Sequence, residues 1–222
     1  MAGPVAPLST PSPPVIMLPG HTTERETSIT VECHHHAFNL VTATLDGDPS
    51  EPLFRVEAKL GTSWSWRRRV YAESPEEQQQ RRHLFDFRHA SVDPKNRWLV
   101  EAADDKRQLA ELVHQKQITS LGHSDIDATV RTAAGEDVVV SMQRAAGDEG
   151  GEDVTVSVDG APFARIDKVA YTPPTGVVGY VVGEKAKGPS SVWKVTAAAG
   201  VDLALVMVMA LCRAEMYHVW KK

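Results

Sequence analysis

Three short clusters hold most of the chemistry this sequence could offer. "CHHH" at Cys33–His36 puts a thiol beside three imidazoles, all residue types that ligate zinc or copper. "WSWRRR" at 64–69 sets two indoles against three guanidiniums; arginines hold phosphate oxygens bidentately, and tryptophans settle at membrane interfaces or stack on bases. "HSD" at 123–125 contains the residue types of a nucleophilic triad.

The backbone decides which of these can act. On a strand, Cys33 and His35 face one side while His34 and His36 face the other, so four consecutive ligands do not converge on one tetrahedral ion. No metal or cofactor is therefore expected, with Cys33 and His35 the weak candidates and His21, His114 and His123 the only further imidazoles considered. Ser124 between His123 and Asp125 is in the wrong arrangement, because neighbours on a strand point apart and no G-x-S-x-G elbow is present. Glu57, Asp86, Glu101, Asp125, Asp127 and Asp167 could include an acid/base pair, but spacing singles none out. Gly176, Gly179 and Gly183 precede Lys185 without the Ser or Thr that a phosphate-binding loop requires.

The basic cluster is the strongest surface signal. Residues 53–100 hold ten Lys or Arg against six acidic residues, in a chain of net charge -5 and pI near 6.0. The overall acidity argues against an extended polyanion such as a nucleic acid, and leaves a local anionic partner. Trp64, Trp66, Arg67, Arg68 and Arg69 are the candidate ligand-binding residues, with an anionic lipid headgroup as their ligand.

The elements that would carry these clusters are mostly strands. Period-two segments occur at 28–33, 37–45, 53–60, 83–89, 97–102, 108–114, 125–132, 137–143, 153–160, 162–171, 177–182 and 192–197. They are separated by Gly, Pro, Asp or Asn signals, with no amphipathic helix between them. In "LFRVEAKL", Phe54, Val56, Ala58 and Leu60 form the uniformly apolar face, which leaves the opposite face wet. Close spacing of about a dozen strands predicts a closed or nearly closed antiparallel barrel. Residues 72–82 and 145–153 are polar inserts, the second acidic and glycine-rich.

Leu203–Cys212 is ten consecutive apolar residues. A membrane-spanning helix needs about 20, and Arg213, Glu215 and His218 follow at once. Ala, Leu and Met favour a helix over about 201–219, with Asp202 at its positive end. Apolar nearly all round, such a helix must be surrounded. Its enclosure stabilises the fold by a gross transfer energy on the order of 10 to 20 kcal/mol. The fold expected is mainly β: about twelve antiparallel strands in a barrel enclosing a C-terminal hydrophobic helix. Domain organisation follows: a flexible Pro-rich leader over 1–25 and a single barrel domain over 26–222. Two distant cysteines and no signal-like N-terminus suit a reducing, cytoplasmic compartment.

Three segments in their order, "PLFRVEAKLGTSWSWRRRVY", "HLFDFRHASVDPKNRWLVEA" and "AGVDLALVMVMALCRAEM", resemble the tubby C-terminal-like superfamily. Its LURP-one-related branch is the nearest, with phospholipid scramblases as distant relatives. The resemblance covers roughly residues 25–220 and implies a twelve-stranded barrel around a central helix. The insert at 72–82 departs from the family's short turn before the "LFD-R" strand. Tubby proteins bind lipids through basic residues on the barrel surface, so the resemblance implies a non-enzymatic barrel peripheral to a membrane. It transfers no individual lipid contact. The alternatives are an enzyme with an acid/base site in a barrel-end pocket, and a protein-interaction scaffold whose partner is recruited by the leader or the acidic loop.

Overall fold

A computed structural model of the chain describes residues 6–34, 40–46, 48–58, 66–73, 81–90, 97–115, 125–145, 152–172 and 190–220. Twelve strands form a closed antiparallel barrel. They are β1 (Thr27–Cys33), β2 (Leu40–Leu45), β3 (Asp48–Ala58), β4 (Trp66–Ala72), β5 (Arg82–His89) and β6 (Trp98–Ala102). The second half holds β7 (Gln108–His114), β8 (Ile126–Arg131), β9 (Asp137–Arg144), β10 (Val154–Val158), β11 (Ala161–Tyr171) and β12 (Ser191–Ala197). Each strand pairs with the next, and β1 pairs with β12 to close the ring. Closure leaves no free sheet edge.

The strands form where alternation lets one face turn inward. Ile29, Val31 and Cys33 of β1 are buried, as are Val41 and Ala43 of β2 and Phe54 and Val56 of β3. The register carries this face around the wall: Val31 opposes Ala43 and Trp193, and Val56 opposes Val41 and Val70. Arg55 and Glu57 take the outer face of β3, as the alternation requires.

Two boundaries differ from expectation. β3 starts at Asp48, drawing most of the proline-containing turn region into the strand through irregular register with β2. β4 was read only as a basic surface cluster, yet Trp66–Ala72 is a full strand between β3 and β5. The expected strand at 177–182 lies outside the described residues, as do 74–80 and 146–151 of the two inserts.

The C-terminal helix, α1, runs Leu203–Trp220. Every residue from Ala204 to Tyr217 is buried, so the helix has no wet face. Its residues join the inward faces of the strands in one hydrophobic cluster. Near its end it touches both β4, through Arg68 and Glu215, and β11 and β12, through Lys168, Trp193 and Tyr217. Around the twelve-strand ring β4 lies four strands from β12 and five from β11. Asp202 caps the other end: its Oδ1 accepts the Ala204 N–H at 2.8 Å, which supplies a partner to a donor the helix leaves open.

Residues 6–25 have little regular structure, as their prolines require, but they lie against the barrel. Met17 N and Leu18 N each donate to Asp202 Oδ2 at 2.8 Å. Ser9 N donates to the Pro162 carbonyl and Ala133 N to that of Ile16. Val15 and Met17 are buried. Thr10 packs its Cγ2 only 2.8 Å from where a Cβ on Gly200 would stand. Glycine at this positive-φ turn thus lets the strap approach the chain entering α1.

Candidate functional site

β4 presents its three arginines to two different worlds. Alternation along Trp66–Ala72 sends Arg67 and Arg69 outward and Arg68 inward with Val70. Arg68 is 2% exposed and donates from Nη1 to Glu215 Oε2 of α1 at 2.8 Å. It therefore belongs to the interior, a correction to its place in the expected surface patch. Trp66 opens β4, while Trp64 and His35 lie outside the described residues.

On the outer wall, Arg67 of β4 stands directly opposite Arg88 of β5. Two like charges in that position repel, and a carboxylate from the next strand bridges them. Glu101 of β6 accepts Arg67 Nη2 at 3.3 Å and Arg88 Nη2 at 2.8 Å. Asp86, buried on the same wall, holds His83 Nε2 at 3.1 Å and Lys106 Nζ at 3.0 Å, with Arg67 Nη1 at 3.7 Å. Arg69 is exposed and has no ion pair among the described residues. Two guanidiniums and a lysine thus share two carboxylates, and Arg69 adds a further cation, which leaves a local excess of positive charge. Of the acidic residues weighed for catalysis, Asp86 and Glu101 do meet across β5–β6, but cations occupy both. Glu57 is likewise held by Arg55 and Arg81.

Toward the end of α1 the interior becomes polar. Lys168 of β11 donates to Tyr217 Oη at 2.9 Å and pairs with Glu152. Burial opposes the charge on Lys168, yet Glu152 and Tyr217 outweigh it and raise its pKa. Arg213 donates to the Glu152 carbonyl at 3.1 and 2.9 Å, and Trp193 Nε1 to Ser191 Oγ at 3.0 Å. In β5–β6–β7 the Trp98 ring sits between His89 and His114, at centroid distances of 4.9 and 5.0 Å. No sequence pattern joins these three; the register of adjacent strands does.

The thiols are structural. Cys33 is fully buried, and desolvation pushes its pKa up to about 12 despite the nearby Ser191 and Arg68. Burial also raises Cys212 well above the usual thiol value. Both are therefore protonated at neutral pH, and neither offers a ready nucleophile. Among the described residues, no group of three or more His, Cys, Asp or Glu could hold a metal ion. His34 instead shares a hydrogen bond with Thr42 Oγ1 at 2.9 Å. No helix among them is long and apolar enough to cross a membrane.

The comparison with known families bears on all of this. A family model described as LURP-one-related matches residues 27–214, from the first residue of β1 into the polar end of α1. The chain belongs to the LURP-one-related family. A search of curated proteins returns no match. The matched span of this LURP-one-related chain includes the whole strand set, Arg68 and both members of the Arg67–Arg88 pair. It stops one residue short of Glu215 and leaves out the N-terminal strap.

The LURP-one-related barrel should also carry a pH signature. Burial, assisted by the His89 charge, lowers the pKa of His114 from 6.5 to about 4. The unfolded chain then binds a proton that the folded chain rejects between those values. This part of the stability is present above about pH 6.5 and is lost as pH falls toward 4. Asp202, whose pKa burial raises, acts with the opposite sign above its unfolded value, so the informative quantity is a difference. Between pH 7 and pH 4.5 the urea midpoint of the wild type should fall relative to that of His114→Phe, the variant having lost the acid-sensitive part. Parallel pH profiles would contradict this assignment.

Proposed function

We propose that this LURP-one-related barrel is a non-enzymatic, peripheral binder of anionic phospholipid headgroups, acting on the cytoplasmic face of a membrane. The observation that carries the reading is the outer-wall arginine strip. Arg69 is exposed and makes no ion pair among the described residues, although Glu57 and Asp86 stand opposite it in the register; it lies two residues from Arg67 on the same face, beside the Arg67–Arg88 pair. A headgroup phosphate can accept from Arg69 and compete with Glu101 for the other two guanidiniums. Arg–phosphate pairs are bidentate and charge-assisted, which favours that exchange. Trp64 and Trp66, adjacent in sequence, have side chains suited to the interfacial layer. Arg68 takes no part, since it is committed to Glu215.

Co-sedimentation with phosphatidylcholine vesicles, with and without a few per cent of a phosphoinositide, tests this. Each cation near an anionic surface contributes about 1 kcal/mol, so Arg67→Gln/Arg69→Gln/Arg88→Gln should weaken binding about a hundredfold. Binding of the wild type should also fall steeply with salt. Lipid-independent behaviour at low salt, or an unchanged triple variant, would sink the proposal.

A further inference from the structure

A second basic feature lies away from the arginine strip, where the N-terminal strap meets the start of β5. An open cleft of about 240 Å³ is walled on one side by Leu18, Pro19 and His21. Arg82, His83 and Leu84 of β5, with the turn after β6, form the other side. The strap wall is fixed in place. Leu18 N is bonded to Asp202, and the His21 carbonyl accepts the Leu203 N–H at 2.9 Å. The His21 ring lies against Phe54, with centroids 5.5 Å apart.

One cation of this cleft has no carboxylate partner among the described residues. Arg82 is exposed and donates from Nη2 to His21 Nε2 at 3.2 Å; it has no carboxylate partner among the described residues. His21 accepts that bond in its neutral form, since burial and the Arg82 charge both lower its pKa. His83 is turned to Asp86. Arg107 faces Asp105 of its own exposed turn at 3.7 Å, and its charge also reaches the Asp104 carboxylate. Asp104 supplies the one carboxylate of the lining, with Oδ1 accepting the Asp105 N–H. Arg107 is thus answered by the two carboxylates of its own turn, and Arg82 is the cation of the cleft left without one among the described residues. Leu18, Leu84 and Ala102 add an apolar floor.

We propose that this cleft binds a small organic monocarboxylate with an apolar body. The planar fork of Arg82 matches a carboxylate in two parallel hydrogen bonds. One guanidinium without a carboxylate suits a monoanion and leaves a phosphate dianion underneutralised. The floor accepts a ring or short chain. The ligand is held by the strap and the barrel together, so the site exists only while the strap is docked. The proposal is independent of the headgroup reading, which uses Arg67, Arg69 and Arg88.

Benzoate is the probe. Titrated into the full chain and followed by NMR at the His21 and His83 imidazoles and the Arg82 Nε–H, it should give saturable shifts in the millimolar range. Arg82→Ala, a change at an exposed position, should weaken binding about tenfold or more, and Arg82→Lys should recover only part of it. Arg69→Ala should leave it unchanged, and Arg82→Ala should leave vesicle binding unchanged. Benzamide, neutral and of the same shape, and inorganic phosphate should both bind more weakly. Any of four results would overturn the proposal: no saturable shift with benzoate, benzamide equal to benzoate, phosphate tighter than benzoate, or Arg82→Ala without effect.

Discussion

Arg68→Met is expected to destabilise the protein by about 3–5 kcal/mol, because it strands Glu215 as an unpaired charge in the interior. Both partners are nearly inaccessible, at 2% and 4% exposure, and their bond is 2.8 Å long. A pair of this kind contributes little relative to apolar groups of the same volume, while half of it is worse than none. Arg68→Met/Glu215→Leu should therefore regain most of the loss. Urea unfolding of the two single variants and the double variant gives the coupling directly. Additive losses would mean that the two side chains do not act on each other. The pair also has a structural role that area burial cannot supply. An evenly apolar helix against an evenly apolar wall has little to fix its rotation, and the charged contact to β4 helps to do so, with the Arg213–Glu152 and Lys168–Tyr217 bonds.

Leu205→Asp has the larger expected effect. Leu205 is fully buried on α1. The substitution removes apolar contacts and places a carboxyl with no prepared partner in the hydrophobic cluster. Such a loss exceeds about 5 kcal/mol, comparable to the whole stability of a typical domain. The variant should fail to give soluble, cooperatively unfolding protein. Leu205→Met, nearly volume-conserving, should remain folded at a cost below about 1.5 kcal/mol. Leu211→Asp should behave as Leu205→Asp does. A well-folded aspartate variant would mean that this face of α1 is accessible.

The strands with clean alternation were legible in the sequence because one apolar face and one wet face produce it automatically. α1 was legible from its excess of apolar residues, and its observed span of Leu203–Trp220 differs from expectation by one or two residues at each end. β4 was not legible, for a physical reason. An inward-facing arginine replaces the apolar residue that alternation would need, so "RRR" looked like uniform surface. One signal could have exposed it: Glu215, an acid on a helix that must be surrounded, needs a cation from the wall. The docked strap was equally hidden. Val15 and Met17 follow no period, and what holds the segment is backbone donation to Asp202, to which the side-chain pattern is blind. The arrangement of the outer wall was legible only in part. Arg67 and Arg69 were named from the cluster, but Arg88 and Glu101 joined them only through cross-strand register.

The central claim is that α1 is the protected core of the barrel and the outer arginine strip is the working surface. Hydrogen exchange with and without phosphoinositide-containing vesicles tests both halves in one measurement. The amides of residues 204–217 should be among the slowest in the protein and indifferent to vesicles, while those around Arg67–Arg69 and Arg88 should slow when vesicles are added. Fast exchange along α1 in the free protein, with protection gained there only on vesicles, would contradict the account.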